Sequence, residues 1–149
     1  MNHKELLEYF IEIAGENYPD GLEEVELPPP VFVSMGAEFI EINREKGIMT
    51  VRFPVPESSL NPFGNMQGGM IAAAVDNTIG PLSMIAAGMN FTRKLELTYR
   101  KVVRGSFDYI DVTAEFTGRQ RRKLFFSAEV RDPEGTVLAE ARAMNWIVA

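Results

Sequence analysis

The sequence predicts an α+β fold, an antiparallel sheet of about six strands wrapped around one long central helix, with an additional helix at the N-terminus. Three observations carry this. A helical stretch from about Gly68 to Ala87 is more apolar than a surface helix. Two strand-like segments precede it and four follow, joined by turn chemistry. No repeat or second linker divides the 149 residues, so 1–149 reads as one domain, with 1–30 an N-terminal helix and connector.

The elements follow in order. Asn2-x-x-Glu5 has the form of a capping box, and Leu6, Leu7, Phe10, Ile11, Ile13 and Ala14 recur at helical spacing, with Gly15 suited to the C′ position. Glu16 to Pro30, ending in three prolines, reads as an extended connector. "VSMGAEFIEI" and "IMTVRFPV" form a hairpin around Arg44-Glu45-Lys46-Gly47, and residues 57–67 are a loop rich in Ser, Asn, Pro and Gly. After the central helix come "FTRKLELTYRKV", "SFDYIDVTAEF", "KLFFSAEVRD" and "TVLAEARAMNWIV", four strands. Their predicted turns are Val103-Arg104-Gly105, Thr117-Gly118-Arg119-Gln120 and Asp132-Pro133-Glu134-Gly135.

Composition narrows the chemistry. Hydrophobic residues make up 46% and charged residues 24%, a globular balance. The absence of cysteine excludes thiolate metal sites, cysteine nucleophiles and disulfides. The single histidine, His3, lies beside the N-terminus, ill placed for a Ser-His-Asp triad, a histidine base or a His-bearing zinc site. Acid/base chemistry therefore falls mainly to carboxylates, and no metal is expected. The acidic opening segment does not resemble a secretory leader, and Asp76, Asn77, Gly80 and Pro81 interrupt the longest apolar run. A cytoplasmic protein without a membrane span is expected. Net charge is −6, yet residues 93–123 hold nine Lys/Arg against four Asp/Glu, while the remainder holds six against seventeen. That pattern disfavours nucleic acid and allows a small polyanion at the basic segment.

"NPFGNMQGGMIAAAVD", residues 61–76, contains the unusual choices. Gly68 and Gly69 open an apolar helix despite their poor propensity. Either a tight loop-to-helix turn needs them, or their missing side chains let a substrate oxygen approach unpaired N–H groups at the positive end of the helix dipole, as in an oxyanion hole. Asp76 either hydrogen-bonds locally, with Asn77 or Thr78 near a bend at Gly80-Pro81, or is a desolvated carboxylate suited to general-base work. At 1.5 Å per residue, Gly68 and Asp76 stand about 12 Å apart on one helix. They cannot act on one carbonyl unless two chains lay their helices antiparallel. A functional site here implies a homo-oligomer, a dimer at least, with a tetramer open.

Asn61-x-x-Gly64-x-x-Gln67-Gly68-Gly69, followed by Asp76 and Gly80, resembles the hotdog-fold acyl-CoA thioesterases of the PaaI-like, phenylacetate-degradation type. The resemblance spans roughly residues 31–148, strand order and the Asp-Pro-Glu-Gly turn included. It implies that a glycine N–H at the helix start, here Gly68, polarises the thioester carbonyl, with Gly69 and Gln67 beside it. It implies that an acid on the partner chain's helix, here Asp76, is base or nucleophile. Asn61 and Thr92 match positions that orient water or the carboxylate. Many members have His where this chain has Gln67, an amide that donates a hydrogen bond but transfers no proton near neutral pH.

"GRQRRK" supplies Arg119, Arg121, Arg122 and Lys123, either a solvated turn or a cationic lip for the phosphates of coenzyme A. Met66, Met70, Met84, Met89, Phe63 and Phe91 flank the supposed site as core or as acyl wall. The N-terminal helix either packs on the sheet or covers the site mouth. The expected activity is hydrolysis of an acyl- or aryl-CoA to the free acid and CoA, with no cofactor beyond the CoA of the substrate. A non-catalytic acyl-CoA binding module is the alternative. Dehydratase chemistry ranks lower for want of a placed histidine, and a purely structural dimerisation domain is the floor.

Overall fold

The structure is a computed structural model, and it describes residues 1–148. One antiparallel sheet of six strands has the order β1-β2-β4-β5-β6-β3, with β1 Glu38–Asn43, β2 Ile48–Pro54, β3 Asn90–Tyr99, β4 Tyr109–Gln120, β5 Lys123–Arg131 and β6 Val137–Ile147. The expected wrapped sheet is observed. Helix α3, Gly68–Ala86, lies along its concave face and packs mainly on β4. Met49, Val51 and Phe53 of β2, with Ile110 and Val112 of β4, bury completely against it. On β6 the inward residues Ala141 and Ala143 are small and buried. Length and composition would let α3 cross a membrane, but Ile71, Ala74, Val75, Thr78, Ile79 and Leu82 are buried inside the protein. It is the core helix.

Helix α1, His3–Gly15, starts with the anticipated capping box, Asn2 Oδ1 accepting from Glu5 N–H at 2.9 Å and Glu5 Oε2 from Asn2 N–H at 2.8 Å. Gly15 is its last helical residue rather than C′, because Glu16 continues in right-handed helical geometry as the C-cap. The predicted first strand is shorter at its start. Pro30–Ser34 forms a short helix, α2, with proline at its first position, and Gly36 turns the chain at φ 68° before β1. A Cβ at Gly36 would lie 2.8 Å from Pro54 Cγ, so no larger residue fits.

The predicted turn at Thr117–Gln120 is also corrected. Strand β4 runs on through these residues, and a bulge between Phe116 and Gly118 takes up the extra residue, so pairing continues to Gln120 opposite Lys123. The hairpin loop is Arg121-Arg122, with Arg121 at φ 57°. Pro81 lies buried within α3 without ending it.

Candidate functional site

The N-terminus of α3 is shaped by Gln67. Its backbone is extended, and its side-chain Oε1 accepts from Met70 N–H at 3.1 Å, capping the third donor of the helix. A Cβ on Gly69 would lie 2.8 Å from that Oε1, so this glycine makes room for the cap. Gly68 differs. Its φ is not positive, and an added Cβ would meet only the Tyr99 ring at 3.4 Å, an ordinary contact. Neither the turn nor the packing demands glycine there. Among the described residues, the N–H groups of Gly68 and Gly69 have no partner, and the Gly68 carbonyl accepts from Tyr99 Oη at 2.7 Å, which fixes this first turn against β3.

Two turns along the same helix is Asp76, half-buried on the stripe of α3 that the sheet leaves uncovered, with Gly69, Ala72, Ala73 and Gly80. Its partner is neither Asn77 nor Thr78. Thr92 Oγ1 donates to Asp76 Oδ1 at 2.7 Å, from the edge strand. This meeting depends on a β-bulge. Leu95 and Leu97 pair with inward-facing Ala143 and Ala141 of β6, and strict alternation would send Thr92 outward. The register shifts between Thr92 and Lys94, so Thr92 returns to the inner face opposite buried Asn145.

Asp76 and Thr92 line a cavity of about 360 Å³ between α3, the start of β3, the end of β6, and the N-terminal segment. Its wall is mostly apolar, with Phe10, Phe32 and Phe39 each at most 2% exposed. One buried polar atom on its lining residues stands alone. Asn90 Nδ2 donates to the Gly88 carbonyl at 2.9 Å, Asn90 Oδ1 accepts from Asn145 Nδ2 at 2.8 Å, and this leaves Asn145 Oδ1 without a protein partner. The two carbonyl-directed bonds fix both amide orientations. Sequence reading missed Asn145, although an Asn in a row with Ala141 and Ala143 is a signal. It also missed Tyr99 and the contribution of residues 7–32 to the cavity.

The other named residues lie apart. Asn61 Oδ1 accepts from Phe63 N–H at 2.9 Å and Asn65 N–H at 3.2 Å, shaping the loop before α3. It is not a wall residue of the cavity. Arg121, Arg122 and Lys123 border a separate surface cavity with Trp146, on the outer side of the sheet. Arg93 and Arg122 lie over the Trp146 ring at 4.5 and 5.5 Å. Arg119 Nε donates to the Arg121 carbonyl at 2.8 Å and stiffens the hairpin end. His3 is committed elsewhere, its Nδ1 accepting from Phe39 N–H at 2.9 Å. Among the described residues no three His, Asp or Glu side chains converge as a metal site would require.

One helix therefore carries both candidate groups, free N–H donors and a carboxylate, at opposite ends of about 12 Å. Among the described residues the edge strand β3 beside them has no neighbour on its outer side, and Met89, just before it, and Phe91, near its start, are 60% and 50% exposed.

Comparison with solved structures agrees with this architecture. The chain is similar to the PaaI protein of the phenylacetic acid degradation operon of E. coli, with 14% identity, a TM-score of 0.77, and coverage of 94% of this chain and 96% of that one. It is similar to a mutant form of the phenylacetic acid degradation protein PaaI from Thermus thermophilus, at 18% identity and TM-score 0.73, covering 80% and 100%. A hypothetical thioesterase of Streptococcus pneumoniae, solved with coenzyme A, gives 20% identity and TM-score 0.71, covering 78% and 91%. No family model matches the chain, and no curated protein matches it by sequence. The fold is the hotdog fold of these PaaI-type proteins.

Proposed function

We propose that this protein is an acyl-CoA (or aryl-CoA) thioesterase, acting in the cytoplasm as a dimer or larger homo-oligomer. The observation that carries the reading is the Thr92–Asp76 hydrogen bond at the wall of an apolar cavity, on the helix whose first N–H groups are free. Its structural neighbours include proteins described as thioesterases, one of them solved with coenzyme A, which supports the same chemistry.

In the proposed site two α3 helices lie antiparallel, so that Gly68 of one chain faces Asp76 of the other. The Gly68 N–H donates to the thioester carbonyl oxygen, and the helix dipole favours the negative charge that develops there. Thr92 occupies one oxygen of the Asp76 carboxylate and leaves the other to accept a proton from water. The resulting hydroxide attacks the carbonyl carbon, and the tetrahedral intermediate collapses. CoA leaves as thiolate and takes the proton from Asp76, giving free acid and CoA. Direct attack by Asp76, through a mixed anhydride that water then hydrolyses, uses the same geometry. Pairing of β3 edges would cover exposed Met89 and Phe91 and bring the uncovered helix stripes together. The Arg119–Lys123 cluster would grip the nucleotide phosphates of CoA.

The deciding experiment measures CoA release from a panel of thioesters by wild type and Asp76→Asn. Loss of turnover with retained binding supports the assignment, and equal turnover removes Asp76 from the mechanism. Gln67, held as a helix cap, brings no ionisable group to the site. Saturable acyl-CoA binding without release by wild type would establish the binding module instead.

A further inference from the structure

We propose that the first thirty-two residues are the acyl-specificity element of this site, forming the far wall of the cavity and limiting it to a compact acyl group. The inference rests on the thioesterase reading for its substrate and on the cavity for its location. The wall opposite Asp76 and Thr92 comes from Leu7 and Phe10 of α1, Tyr18 and Leu27 of the connector, and Phe32 of α2. Phe10 and Phe32 are each 1% exposed, so they form a floor that a ligand cannot pass without unpacking the core. Leu7, Tyr18 and Leu27 are partly exposed and form the rim.

This wall is fastened at three separate points. His3 Nδ1 accepts from Phe39 N–H at 2.9 Å and ties the start of α1 to β1. Glu16 pairs with Arg44 in the β1–β2 hairpin. Asn17 Nδ2 donates to the Met84 and Ile85 carbonyls at 2.9 and 2.8 Å, closing the C-terminal turn of α3. A segment held to β1, to the hairpin and to the far end of α3 is a built roof.

Two features mark this half-open space as a ligand pocket rather than loose packing. Asn145, one of its lining residues, carries the unpartnered buried acceptor Oδ1, and an unpaired buried acceptor costs about 1–3 kcal/mol, which packing alone does not favour. The space also adjoins a half-buried carboxylate held by a hydroxyl from another element. A volume of about 360 Å³ stands near the lower end of the roughly 300–1,000 Å³ typical of ligand pockets. That volume accommodates a single ring or a short chain more readily than a long fatty acyl group.

The test uses full-length Leu7→Trp and Leu7→Ala, at a rim position whose replacement leaves Phe10 and Phe32 in place. Melting temperatures and circular dichroism establish that both variants fold. CoA release is then measured from acetyl-, phenylacetyl- and dodecanoyl-CoA. Leu7→Trp should lower kcat/KM for phenylacetyl-CoA at least tenfold while holding acetyl-CoA within about threefold, and Leu7→Ala should raise relative activity on dodecanoyl-CoA. Equal effects on all three esters, or none, would overturn the specificity role. Calorimetric binding of non-hydrolysable acetyl and phenylacetyl thioether analogues of the same esters is the second readout. If wild type releases no CoA but Leu7→Trp selectively weakens the phenylacetyl analogue, the pocket stands and the hydrolase reading falls. If Leu7→Trp binds both analogues as wild type does, the pocket assignment itself is wrong.

Discussion

Thr92 Oγ1 donates a 2.7 Å hydrogen bond to Asp76 Oδ1 across the gap between edge strand and core helix. A hydroxyl that donates to one carboxylate oxygen fixes the plane of the group and leaves the second oxygen free for a water or a carbonyl carbon. Thr92 is thus placed to orient Asp76 without competing for its chemistry.

Thr92→Val keeps the shape and deletes the donor. A hydrogen bond to a charged group contributes about 1.5–3 kcal/mol, so kcat/KM for a hydrolysed thioester should fall by roughly ten- to a hundredfold. Thr92→Ser should recover most of it. CoA release under first-order conditions reads both, and an unchanged Thr92→Val rate would deny Thr92 a part in orienting the carboxylate.

The two glycines should separate under substitution. In Gly68→Ala the new methyl meets Tyr99 at 3.4 Å, so the melting temperature should shift by no more than a few degrees while thioester hydrolysis drops at least tenfold. Gly69→Ala puts a methyl 2.8 Å from Gln67 Oε1 and displaces the cap, which should cost about 0.5–2 kcal/mol of stability. Denaturant unfolding paired with activity assays distinguishes the two patterns.

A composite site predicts complementation. Asp76→Asn and Gly68→Ala, each weakly active alone, should recover roughly a quarter of wild-type turnover when co-refolded, because half of randomly mixed dimers are hybrids with one intact site. Additive residual activity would mean that both groups act within one chain.

The basic hairpin should act on affinity alone. Arg121→Glu with Arg122→Glu should raise KM for CoA esters severalfold, leave kcat unchanged, and flatten the dependence of KM on salt. Steady-state kinetics at low and high ionic strength provide the check. A KM that does not move places the CoA phosphates elsewhere.

The tie between Glu16 and Arg44 carries a pH signature. The Arg44 guanidinium hydrogen-bonds Glu16 and holds its carboxyl below the usual value. A lowered folded value means that the contribution is complete above the ordinary carboxylate range and disappears as pH falls through the lowered one. The stability gap between wild type and Glu16→Gln should therefore be present at pH 7 and close in acid, read by thermal melts across pH. A gap that persists or widens in acid would contradict the sign.

Much of the fold was legible because its signals are local. The capping box of α1, the apolar run of α3 and the alternation of Leu124, Phe126, Ala128 and Val130 in β5 each report an element through neighbouring residues. The misreadings occur where a long-range ladder overrode local chemistry. Thr117–Gln120 has the composition of a turn, yet β5 pairs with it, and the bulge at Gly118 converts a turn glycine into a strand irregularity. Pro30–Ser34 lacks helical length and was hidden behind its prolines.

The site divides in the same way. Sequence alone determined that free N–H donors and a carboxylate lie on one helix about 12 Å apart, since helical rise is fixed by backbone geometry. It also determined that no cysteine and only one histidine are available, which leaves the chemistry to that carboxylate. Only the tertiary structure decided which hydroxyl meets Asp76, because a bulge in β3 reverses the side-chain alternation that the sequence implies. It also decided that α1 and its connector enclose the cavity, since that wall is made of contacts between residues dozens of positions apart. Local propensity sets elements, but contacts of that range exist only once the chain has folded.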